Sequence, residues 1–241
     1  MLAFLRKIRK SLVESGSARK YILYAIGEIA LVVIGILIAL QINNWNEQKK
    51  AYKFEDILLL ELRKSIEYDY SNIEEVLIGN NVSKSSCQIL LHHFDQGLPY
   101  HDSLNFHFWK ANHWWQLNLR LTAYENAKSY GLHFIKNDTL RMRLTTVYEN
   151  DVKWWDDTDS RLALYQYNVV EPYILNLFES TALGTEMKPH DYQSLSNDKK
   201  YRTILETHIG NREWFEMIVK ARFLKALKGL DQKLLHEIKS R

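Results

Sequence analysis

The residues best suited to chemistry crowd into one stretch, in which Tyr100 is followed by HDSLNFHFWKANHWWQ. Indole and imidazole rings at this density can stack a sugar, a peptidoglycan fragment or a hydrophobic peptide, and His107 with His113 would offer nitrogens to a metal. Against metal, their spacing matches no helical chelate, and no acid is patterned with them. The plainer reading is packing, with Phe106, Trp109 and Trp114 filling a core or resting on a membrane surface. A ligand or partner role, if the stretch has one, falls to Phe106, Trp109, His113 and Trp114.

A second cluster, Trp154, Trp155, Asp156, Asp157 and Asp159, suggests calcium. The EF-hand pattern, however, needs a glycine at the sixth loop position and a glutamate at the twelfth, and neither is present. A helix would spread these carboxylates around its axis, so they read as solvated acids beside two packed tryptophans. His92 and His93 are adjacent and point about 100° apart on a helix, which reads as surface or interface. There is no G-x-S-x-G, Walker-type glycine loop, H-E-x-x-H or C-x-x-C. The sequence therefore assigns no catalytic residue, no cofactor and no metal, and it reads as a protein that is not an enzyme.

The element that must position everything else is Tyr21 to Ile42, YILYAIGEIALVVIGILIALQI, apolar except for Glu28 and Gln41 and free of proline. At ~1.5 Å per residue it reaches about 33 Å, enough to cross a hydrocarbon core as one helix. Arg6, Lys7, Arg9, Lys10, Arg19 and Lys20 precede it against one acid, Glu14, whereas the lysines after it are balanced by acids. That bias holds the N-terminus in the cytoplasm and sends the remainder across, into the periplasm of a Gram-negative cell. The run exceeds a signal-peptide core of ~7–15 residues and no A-x-A-like site comes after it, so an uncleaved single-pass anchor is expected. Within it, Tyr24, Glu28, Gly35, Ala39 and Ile42 share a stripe, and the small step from Gly35 to Ala39 lets another backbone approach. Self-association through this stripe, with Glu28 as an interhelical donor, competes with a lone acid bonded to Tyr24 or to interfacial water.

The string YAIGEIALVVIGILIALQINNWNE, with basic residues before it, resembles the membrane anchor of domain of unknown function family 6090. LTAYENAKSYGLHFIKNDTLRMRLTTVYEND resembles that family's central segment. The resemblance implies an inner-membrane, single-pass protein of the kind found mainly in Bacteroidota, and carries over no catalytic residue. The dense aromatic content around Trp109 to Trp115 departs from it.

Residues 1–50 hold 8 of the 32 Lys+Arg and 3 of the 29 Asp+Glu, so the rest is near neutral despite the formal charge of +3. A nucleic-acid surface is not indicated. Cys87 is the only cysteine, which excludes an intrachain disulfide and suggests a buried thiol. Phe4, Leu5, Ile8 and Leu12 oppose Arg6, Lys7, Arg9 and Lys10 in a basic amphipathic segment suited to anionic headgroups.

Beyond the span, Tyr52, Leu59, Leu62, Ile66, Ile73 and Val76 recur at helical spacing. The sequence therefore predicts a stalk helix to about residue 80 and a second helix from Asn80 to Gly97. Next come a helix from Leu119 to Tyr130 stopped by Gly131, a long helix capped by Asn137 or Asp138 that reaches Pro172, and a loop from Thr181 to Asp198. Two final helices are divided at Gly210. Leu117 to Leu121 alternates like a strand but sits within stronger helical patterns. The expected fold is all-α. It comprises a cytoplasmic basic segment at 1–20, a transmembrane helix at 21–42, a stalk at 43–80 and an extracytoplasmic antiparallel helical bundle at 81–241. The leading functional reading is a membrane-anchored structural or interaction module, homo-oligomeric and open to docking by a membrane or periplasmic protein. The alternative is a sensor-like ligand-binding domain that acts through a partner.

Overall fold

The computed structural model describes residues 18–182 and 184–240, so the basic segment around Arg6, Lys7, Arg9 and Lys10 lies outside the described residues. Among those described there is no strand, only an isolated bridge between Phe178 and Pro189. The chain divides into two units, Met1–Glu55 and Asp56–Arg241. In the first, helix α1 (Ala18–Asp95) presents Ile29 to Lys50 with every side chain exposed. The apolar part of α1 is long and apolar enough to cross a membrane.

The second unit is built on three helical runs. The first is α1 beyond Asp56. The second comprises α4 (Asp138–Thr145), a π turn (Thr146–Val152), α5 (Lys153–Tyr165), a π turn (Gln166–Val170) and α6 (Glu171–Ile174). The third comprises α8 (Lys199–Ile218), a π turn (Val219–Phe223) and α9 (Leu224–Lys239). Between the first two runs lie α2 (Leu104–Asn112) and α3 (Thr122–Tyr130), and the short α7 (Tyr192–Asn197) precedes the third.

Two apolar clusters fix the directions. Leu59, Leu62, Ile66 and Val76 pack with Leu140, Leu144, Trp155, Phe215 and Leu230. Cys87, Leu90 and Phe94 pack with Phe108, Ile174, Tyr201 and Leu205. The second run therefore lies parallel to α1 and the third antiparallel to both. Burying each large apolar side chain contributes ~1.5–3 kcal/mol, which is why the seam of α1 holds to its spacing. That seam runs Leu62, Ile66, Asp69, Ile73, Val76, Asn80, Ser83, Cys87, Leu90 and Phe94, in alternating steps of three and four, and all ten are buried.

The seam passes through Gly79 without a break, so the expected division of this region into a stalk and a second helix gives way to one helix. Glycine costs a helix interior ~1 kcal/mol, but here the Trp115 indole occupies its flank. A Cβ on Gly79 would sit 2.3 Å from Trp115 Cδ2. Gly210 is likewise inside α8, which runs from Lys199 to Ile218. At Pro172 the expected kink takes the form of the π turn just before it, which loosens the register where the proline ring would meet a preceding carbonyl. Asn137 caps α4 as expected, its side chain accepting from Leu140 N–H. Gly131 closes α3 at φ +98°.

Parallel runs need a return path, and the chain supplies it as an extended strap, His113 to Leu121, laid antiparallel along α1. The alternating leucines belong to this strap rather than to a helix, with Leu117 buried and Leu119 and Leu121 half-buried. Lacking a neighbouring strand, the strap bonds to side chains of α1. Ser65 Oγ donates to Arg120 O at 2.6 Å, Arg120 N–H donates to Asp69 Oδ1 at 2.8 Å, and Asn72 Nδ2 donates to Asn118 O at 2.9 Å.

Replacing Gly79 with alanine should therefore lower stability by about 1–3 kcal/mol, although helix propensity alone would raise it. Thermal unfolding of the full chain in detergent measures this; a higher melting temperature would show that Trp115 yields freely.

Candidate functional site

The aromatic stretch divides at the end of α2. Because α2 stops at Asn112, its last carbonyls have no helical donors ahead of them and are buried, so they need partners from elsewhere. Those partners are side chains, drawn from other elements except for Asn112, which bonds back within α2. Ser83 Oγ donates to Lys110 O at 2.6 Å, and Asn112 Nδ2 donates to Phe108 O at 2.8 Å and to Tyr201 Oη at 2.9 Å. Gln166 Nε2 donates to Asn112 O at 3.1 Å, and Arg212 Nη2 donates to His113 O at 3.0 Å and to Ala111 O at 3.3 Å. The His208 ring lies 3.0 Å from Ala111 O through Nδ1.

Arg212 is buried, and burial lowers its pKa. It makes no ion pair among the described residues; its guanidinium rests on the carbonyls of Ala111, His113 and His208. The negative end of the α2 dipole thus faces a cation, the favourable arrangement for a helix C-terminus. Burial, then the neighbouring Arg212, push the His208 imidazole down to about 3. It is therefore neutral, with the proton on Nδ1 donated to Ala111 O.

This anchoring leaves Trp109, His113 and Trp114 on the wall of an open cleft of about 340 Å³, opposite Tyr167, Glu171 and Leu175. The π turn Gln166–Val170 sets that opposite wall, turning Gln166 inward to Asn112 while Tyr167 lines the opening. Of the four residues expected to form an aromatic site, three line the cleft. Phe106 stands outside it, 40% exposed, with its ring edge-on to Trp109 at 6.1 Å. Burial, followed by Lys110 and Arg212, holds His113 below its ordinary range. His107 bonds instead to Ser86 Oγ at 3.1 Å, well apart in its contacts from His113, whose ring is edge-on to Trp115 and tilted against Trp109.

The stripe in the first unit is carried by α1, with Gly35, Ala39 and Ile42 exposed and Tyr24 and Glu28 half-buried. A Cβ at Gly35 would meet nothing within 4 Å. In the acidic cluster Trp155 is packed and Asp156 and Asp157 are exposed, as expected, whereas Asp159 is buried, and burial, only partly offset by strap residue Gln116, pushes its carboxyl up to about 6.

Residues 28–152, slightly more than half of the chain, match a family described as a family of unknown function, DUF6090. The chain belongs to that family. No curated protein and no solved structure matches it. In this DUF6090 chain the matched region contains α2, the strap and the parts of α1 that bind it. Arg212, His208 and the Tyr167–Leu175 wall lie beyond that region.

The aromatic wall was legible in the sequence, whereas its supports were not. His208 and Arg212 are one helical turn apart, as are Ser83 and Cys87, and four-residue spacing of polar groups beside apolar positions is the only signal they give.

Asp69 shows what the strap costs. Burial pushes its carboxyl up to about 6, against the pull of the Arg120 backbone N–H and guanidinium. A folded value above the unfolded one means that ionisation opposes folding; the penalty is absent below about pH 4 and complete above about pH 6. Asp69→Asn keeps an acceptor for Arg120 N–H without the charge. It should exceed the wild type by on the order of 2–3 kcal/mol at pH 7–8 and match it near pH 4. Melting temperatures of both chains across that range test the sign, and a difference independent of pH would contradict it.

Proposed function

We infer that this protein is a membrane-anchored binding module, whose helical domain holds a small ligand between Trp109, His113 and Trp114 on one side and Tyr167 and Glu171 on the other. The observation that carries the reading is the cleft itself. Its volume of about 340 Å³ falls within the range of small-molecule sites, and the end of α2, the start of the strap and the second helical run supply most of its lining. The lining holds one imidazole and one carboxylate with no serine or cysteine nucleophile, which favours binding over catalysis.

The placement we propose is an inner-membrane, single-pass protein with its N-terminus in the cytoplasm and its helical domain in the periplasm. The excess of Lys and Arg before the apolar run supports it. A ligand signal would then leave through a partner or through the anchor helix. The open surface of α1 favours a second reading, that of an interaction module self-associating along Tyr24, Glu28, Gly35, Ala39 and Ile42. The space beside Gly35 admits another backbone.

Leu175 is 60% exposed at the cleft, so Leu175→Trp should fill the opening without disturbing the fold. A fragment set screened by ligand-observed NMR on the full chain in detergent should give binders that Leu175→Trp abolishes; no binder to the wild type would remove this reading. Separately, Glu28→Leu with Gly35→Ile should reduce a native-mass oligomer to monomer, and an unchanged assembly would exclude the stripe as the contact.

A further inference from the structure

The chemistry of the cleft narrows what fits it, a step that rests on the ligand-binding reading above. Its lining carries one formal charge, the Glu171 carboxylate, and among the described residues no ion pair uses that group. Tyr167 and Trp114 lie against no other ring among the described residues, so the space between the walls is not filled by the chain's own stacking. Trp109 already takes the Lys110 ammonium 3.9 Å over its ring, an intramolecular instance of a ring face holding a cation.

A sugar needs a ring of hydrogen-bonding groups, and the cleft lining supplies four side chains for it, the Tyr167 and Thr181 hydroxyls, the His113 ring and the Glu171 carboxylate. The indole nitrogens of Trp109 and Trp114 and Asn112 Oδ1, however, are shielded from solvent, and Gln166 Nε2 is committed to Asn112 O. An anion would meet Glu171. The two cations adjoining His113 are occupied, Arg212 by backbone carbonyls and Lys110 by the indole. What distinguishes the cleft is its aromatic faces, each with a negative quadrupole, beside the one formal charge of Glu171.

We propose that the cleft binds a small organic cation, an amine or quaternary ammonium with apolar substituents, with Glu171 balancing its charge and the rings of Trp114 and Tyr167 around it. Isothermal titration of the full chain in detergent with choline, and with its neutral carbon isostere neohexanol, tests this. Choline should bind about tenfold more tightly, the difference a cation–π site with a carboxylate makes. Tyr167 is 53% exposed, so Tyr167→Ala should leave the melting temperature unchanged and weaken choline about tenfold. Glu171→Gln should do the same while sparing neohexanol.

Nanodiscs of phosphatidylethanolamine and of phosphatidylglycerol separate two sources of the same ammonium. A lipid headgroup ligand lowers apparent choline affinity only in the first, whereas a soluble amine leaves the two equal. Equal affinity for choline and neohexanol would overturn the cation proposal and leave ligand binding standing. So would a chain that binds neither of them yet takes up other neutral fragments. Uptake of no fragment at all would overturn both.

Discussion

The carbonyl end of α2 is the constraint on which this domain depends. A helix that stops inside a protein leaves acceptors that water cannot reach, and each one left unpaired costs ~1–3 kcal/mol. Here the carbonyls from Lys110 to His113 draw donors from α1, the second run and α8 at once. Arg212 is the centre of the arrangement because a guanidinium presents a planar fork of donors, and three carbonyls take them. The charge is tolerated without a carboxylate because it stands at the negative end of a helix dipole.

Fixing that end also fixes the path of the chain beyond it. The strap leaves Asn112 in a set direction, returns along α1 and permits two parallel helical runs in one small domain. Its extended backbone takes its hydrogen bonds from Ser65, Asp69 and Asn72, and Trp115 fills the flank of Gly79. A purely apolar seam on α1 would pack more favourably than one that buries Asp69, Asn80 and Ser83. In exchange Asp69 fixes the register of the strap and Ser83 holds the end of α2, and between them they set the path of the chain past Trp114 at the cleft.

Much of this was readable from side-chain periodicity. The apolar run, the Asn137 cap and the spacing of Val219, Phe223, Leu227, Leu230, Leu234 and Ile238 in the last helical run are local patterns, and all of these six but the half-buried Ile238 are buried. Gly79 was misleading because glycine is read as a break, yet the three-and-four spacing keeps its phase from Val76 through Asn80 to Ser83. That continuity argued for one helix. The strap was hidden because its alternating leucines neighbour helical patterns, and its bonding partners lie about 50 residues earlier in the chain. Asp159 looked solvated beside other acids, and only the fold turns it inward. The cleft's second wall rests on a π turn, for which residue types carry no dependable signal.

The Arg212 fork, rather than its charge alone, anchors the aromatic wall. Hydrogen–deuterium exchange on Arg212→Lys in the full chain tests this most directly. Lysine keeps the charge and loses the planar set of donors, so amides from Phe108 to Leu121 should exchange much faster while those of α9 stay as protected as in the wild type. Unchanged exchange in that segment, or an equal loss of protection throughout the domain, would contradict the claim.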